Sequence, residues 1–71
     1  MSNPFKPGSI SAAVFDKLLD GNEWRVMDLF NGLAVADPAR TLAHIRKLGD
    51  EGGEWAIVRV AGKAGTVRLI L

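Results

Sequence analysis

The stretch Asp37-Pro38-Ala39-Arg40-Thr41-Leu42-Ala43-His44-Ile45-Arg46-Lys47-Leu48-Gly49 decides how this 71-residue chain is read. Asp37 is a good N-cap, because its carboxylate accepts one of the orphan N–H groups of a first helical turn. Pro38 suits the first helical position, where no N–H is needed. The spacing predicts a helix over 38–49, stopped by the glycines of Asp50-Glu51-Gly52-Gly53. Leu42, Ile45 and Leu48 form its apolar stripe, and Arg40, Ala43, His44 and Lys47 fall opposite. No acid lies between Pro38 and Gly49. A helix that docks by one side and shows a basic side to solvent suits the major groove of DNA.

The flanking segments change character. Met1 to Gly8 holds two prolines and a glycine, so residues 1–9 are expected to be a flexible, extended or disordered arm before a domain over 10–71. A first helix is expected over about Ser11 to Asp20, capped by Ser9 or Ser11 and stopped by Gly21-Asn22. Ile10, Val14 and Leu18, with Phe15 and Leu19, give it a core-facing stripe. Glu23-Trp24-Arg25 is read as a very short strand or the lead-in to a second helix over about Val26 to Leu33. After Gly53 the period changes. Trp55–Val60 and Thr66–Leu71 alternate like strands, joined by the glycine loop Ala61-Gly62-Lys63-Ala64-Gly65. With Val58, Val60, Val67, Leu69 and Leu71 inward, Arg59 and Arg68 are expected on one face.

Composition narrows the function classes. The chain is long enough for one domain, and it buries only roughly 60% of its unfolded surface, so a second copy or a ligand would help it. There is no cysteine, which excludes disulfides, thiolate metal sites and a cysteine nucleophile. No N-terminal apolar segment resembles a secretory signal, and no apolar run approaches the roughly 18 residues of a membrane span. A cytoplasmic protein is the expectation. The net charge of +1 hides a pattern: residues 38–49 and 55–71 each carry +3, whereas 1–37 carry −2 and 50–54 carry −3. Locally basic segments in a nearly neutral chain are the footprint of a polyanion partner.

The order helix, short strand, helix, helix, strand, strand resembles the winged helix-turn-helix family over about residues 10–71. Trp24 to Val35 resembles that family's second helix and turn. Asp37 to Leu48 resembles its recognition helix, and the two strands with their glycine loop resemble its wing. The resemblance implies an α+β fold of three helices and a hairpin wing. It also implies that the third helix enters the major groove while the wing touches backbone or minor groove. One departure stands out: where the second helix often opens with a small hydroxyl residue that meets a phosphate, this chain has Arg25 and Val26, so that contact falls to Arg25.

Arg40, near the helix start, is placed to read bases, since its forked guanidinium can bind guanine O6 and N7 together. His44 lies one turn on, and Ala43 permits close approach or meets a thymine methyl. Lys47 and Arg46 are placed for phosphates, as is Lys63 at the loop tip. Arg59 and Arg68 are phosphate contacts or, with more weight, keep the hairpin's outer face soluble. Trp24, Trp55, Phe15 and Phe30 are read as core; Phe5, in the arm, is open to a partner.

Catalysis finds no support. One histidine cannot build a zinc site, and Ser9 and Ser11 have no fixed base beside them. Asp50, Glu51 and Glu54 lack the spacing of a calcium loop, and neither glycine loop matches a phosphate-binding loop. No metal and no cofactor is implied. The reading is therefore a regulator binding double-stranded DNA, with a homodimer or a second DNA-binding partner asked for by the limited surface of one module. The alternative is a winged-helix protein–protein interaction module that binds no DNA.

Overall fold

A computed structural model describes all residues, Met1–Leu71. Helix α1 (Ile10–Leu18) starts where Ser9, in extended backbone, accepts the Ala12 N–H on its hydroxyl at 3.1 Å. Ser9 rather than Ser11 is thus the cap. Ala12, Val14, Phe15 and Leu18 are buried along one side. The helix stops short of Asp20, because Asp20 and Gly21 close a turn with the Lys17 and Leu18 carbonyls and Gly21 takes φ 79°.

Strand β1 (Trp24–Arg25) leads straight into α2 (Val26–Leu29), a single turn instead of the helix expected to Leu33. Phe30 leaves helical geometry at φ −99°, and Gly32 at φ 81° turns the chain away. Lys17 donates from Nζ to the Leu29 and Asp28 carbonyls, at 3.0 and 3.3 Å, where the short helix has no further turn to accept from.

Helix α3 (Pro38–Gly52) begins as expected: Asp37 Oδ1 accepts from Arg40 N at 3.1 Å, and Thr41 Oγ1 donates to the Asp37 carbonyl. Its end differs. The helix continues past Gly49, which is a buried helical residue lying under Trp55. The left-handed cap is Gly53, at φ 73°, whose N–H reaches the Gly49 carbonyl at 2.9 Å. The docked stripe therefore runs through Leu42, Ile45 and Gly49, while Leu48 is 40% exposed.

Strands β2 (Ala56–Arg59) and β3 (Thr66–Ile70) form an antiparallel hairpin, and β1 pairs with the other edge of β3, giving the order β1-β3-β2. The register sets Ile57 opposite Leu69, Val58 opposite Arg68, and Arg59 opposite Val67. Residues paired across a sheet share a face. Ile57, Val67 and Leu69 therefore point inward, with Val58 on the outer side beside Arg68. Arg59 and Arg68 lie on opposite faces, contrary to the expected pairing: the inward row of β2 passes through Ile57, one residue out of phase with Val58 and Val60.

The core joins Val14, Phe15 and Leu18 of α1 to Leu29, Phe30, Ile45, Trp55, Ile57, Val67 and Leu69. Trp24 packs against its margin, so all four aromatics read as core are used there. Phe5 joins them. Its ring meets Phe15 edge-on at 5.6 Å and Trp55 at 6.2 Å between centroids. Asn3 donates to the Ala12 carbonyl and the Asp16 carboxylate, both at 2.8 Å. The arm expected to be loose thus lies along α1, because it carries an aromatic side chain that the core accepts. The result is a small α+β domain of three helices and one three-stranded antiparallel sheet.

Candidate nucleic-acid interface

The outward side of α3 is set by the burial of Leu42, Ile45 and Gly49. Arg40, Ala43, His44 and Lys47 are all exposed, and Arg46 is half-buried on the flank beside Leu42. Arg40 stands in the first turn, where the Asp37 cap fixes the backbone, and no acid pairs with it. The longer helix alters the acid-free face. Asp50 and Glu51 now stand on its last turn, and Glu51 Oε1 lies 3.9 Å from Lys47 Nζ. Both side chains are well exposed, so this pair is worth little and is weakened further by salt. The cationic part of α3 is consequently its N-terminal three turns.

The other two predicted cations are drawn elsewhere. Arg25, on β1, is exposed and borders a shallow cleft together with Asp20, Glu23 and Asp28. The Asp20 carboxyl there is held below its ordinary 3.8 by the Asn22 backbone N–H and then by the Trp24 indole N–H, so it stays ionised. Lys63, at the hairpin tip, makes a 2.6 Å ion pair with Glu23, which ties the tip back to the lead-in of β1. These acids precede α3 in sequence, and only the sheet brings Glu23 to Lys63, 40 residues away.

Between α3 and the hairpin runs a cleft of about 710 Å³. Ala39, Leu42, Ala43 and Arg46 line it from the helix, and Arg59 and Val60 from the hairpin. Arg59, like Arg68, was expected with more weight to keep the hairpin's outer face soluble. It points into the cleft because its register partner is the inward Val67. The alternation of β2, taken from Ile57 instead of Val58, carries that signal. His44 and Lys47 do not line the cleft, so the interface has two parts: a helix front and a helix–hairpin groove.

No group of three or more His, Asp or Glu side chains could hold a metal ion, and His44 stands alone on its helix. No helix is long and apolar enough to cross a membrane. Comparison with family models, curated proteins and solved structures gives no match to this chain.

Proposed function

We propose that the chain is a winged helix-turn-helix domain that binds double-stranded DNA sequence-specifically, as a small cytoplasmic regulator of transcription or replication. The observation that carries this reading is the front of α3, where Arg40, Ala43, His44 and Lys47 are exposed opposite the face docked through Ile45 and Gly49. The element order and the sheet order β1-β3-β2, with a hairpin beside α3, support the winged-helix part. In this reading α3 lies in the major groove, Arg40 and His44 meet base edges, and Lys47 holds a phosphate.

The test is selection of bound duplexes from a random pool, followed by titration of a selected duplex at two salt concentrations. Enrichment of a motif and an affinity that falls with salt are expected, with Arg40→Ala relaxing the preference at one position. No binding to any duplex at low salt overturns the reading. A second reading, a protein-binding winged helix, draws on the exposure of Leu48 on α3 and of Met27, at 78%, on α2. It predicts a partner whose capture is lost on Leu48→Ser and unaffected by Arg40→Ala.

A further inference from the structure

The resemblance gives the wing a backbone or minor-groove contact, and Lys63 at the hairpin tip was the residue placed for a phosphate, yet this tip cation is already engaged. Lys63 is bound to Glu23 at 2.6 Å, and a phosphate reaching it must displace a carboxylate at hydrogen-bonding distance. Arg46 and Arg59 are different. They line the same cleft from opposite walls, and neither takes part in an ion pair. None of the 14 residues lining that cleft is acidic, and Lys63 is its only other cation. Two guanidiniums that line one groove with no acid among its lining both gain from an anion placed between them. Ala39, Ala43 and Val60 keep the walls small and apolar, which lets a sugar approach without stripping water from polar side chains.

We propose that Arg46 and Arg59 form a phosphate clamp in the cleft between α3 and the hairpin, holding one strand of the duplex backbone there instead of at the hairpin tip. This rests on the DNA-binding reading and deepens it: the residue that holds the strand on the hairpin side is Arg59, not Lys63. The occupant is a phosphodiester strand because the cleft is an open groove beside the helix front, continuous with it through Ala43. The guanidinium fork suits two phosphate oxygens at once. Such a contact adds affinity without base preference.

The experiment compares the full chain with Arg59→Gln, Arg46→Gln, Lys63→Gln and Arg68→Gln on one selected duplex across a salt series. Thermal melting establishes that each variant is folded. Arg59→Gln and Arg46→Gln are each expected to weaken binding about tenfold at low salt and to reduce the salt slope by about 0.9. Their double variant should lose less than the product of the two, because one phosphate is shared. Arg68→Gln, on the outer sheet face, should change affinity less than about twofold, and Lys63→Gln should weaken it less than Arg59→Gln does. Unchanged binding by folded Arg59→Gln overturns the clamp, as does a loss confined to Lys63→Gln, and both leave the DNA-binding reading standing. Failure of the unaltered chain to bind any duplex removes both.

Discussion

Gly49 shows how much one missing methyl can decide. A Cβ built there overlaps the six-membered ring of the Trp55 indole, so the absence of a side chain is what lets α3 lie against the start of β2. Replacement by alanine gains helix propensity of about 0.5–1 kcal/mol, but overpacking a filled site costs roughly 1–3 kcal/mol. Gly49→Ala is expected to be the less stable by about 1–2 kcal/mol in denaturant unfolding. The same substitution in a Trp55→Phe background should cost less, and an equal cost would show that the indole is not what the methyl meets. Asp20 makes a pH prediction. Its folded pKa lies below 3.8, so its hydrogen bonds contribute fully above that value and are lost as pH falls through the folded value. Asp20→Asn should be less stable than the unaltered chain near neutrality, and the gap should close as pH falls below 3.8 and through the lowered folded value. A gap that is constant with pH would rule out the carboxylate's charge as the cause.

At the scale of elements, α3 depends on its two ends. Asp37 satisfies the Arg40 N–H, and Asp37→Ala should cost about 1 kcal/mol, read as a lower denaturation midpoint with unchanged slope. The start of α3 was legible because Asp-Pro is a local signal that acts within one turn. Its stop at Gly52-Gly53 was legible for the same reason, but the run of α3 past Gly49 was not, because only the Trp55 ring gives Gly49 a packed place inside the helix. For α2 the cause is similar. Its apolar positions Val26, Leu29, Phe30 and Leu33 have helical spacing, but Gly32 turns the chain and Leu33 reaches the core from a loop. The N-terminal arm is an element of the fold as well. Phe5→Ala should cost about 2 kcal/mol, roughly half the loss at a fully buried phenylalanine, because the ring is half-buried. Unchanged stability would mean that the arm's contacts are not kept in solution.

For the molecule as a whole, a core drawn from 71 residues leaves a narrow margin of stability. A duplex bound by the folded chain alone should therefore raise the melting temperature markedly: at about 100 times Kd the gain is about 2.7 kcal/mol, or on the order of 10 °C or more for a domain of this size. On the proposed DNA-binding reading the shift should shrink as salt is added, because counterion release would drive the binding. A shift that is independent of salt would show that phosphate contacts do not drive the binding. The charge pattern supports this expectation only in part. The stretches 38–49 and 55–71 are basic in sequence, but Glu51 and Glu23 fold back onto Lys47 and Lys63, leaving Arg40, Arg46, Arg59 and Arg68 without ion pairs.

The sequence by itself determined the parts whose causes are local: the Asp37 cap, a serine cap for α1 at Ser9 or Ser11, the apolar spacing of α1, the change of period after Gly53 and the exposed line of Arg40, Ala43, His44 and Lys47. Each follows from residues within about one turn, or from periodicity within one element. The tertiary structure alone decided which glycine of α3 is packed, which face Arg59 takes and which cations are neutralised. Those depend on contacts between residues far apart in the chain: Gly49 on the Trp55 ring, Arg59 on its pairing with Val67, and Lys63 on Glu23. A one-residue change of strand phase reverses every side chain, and no local signal distinguished Ile57 from Val58 as the inward residue.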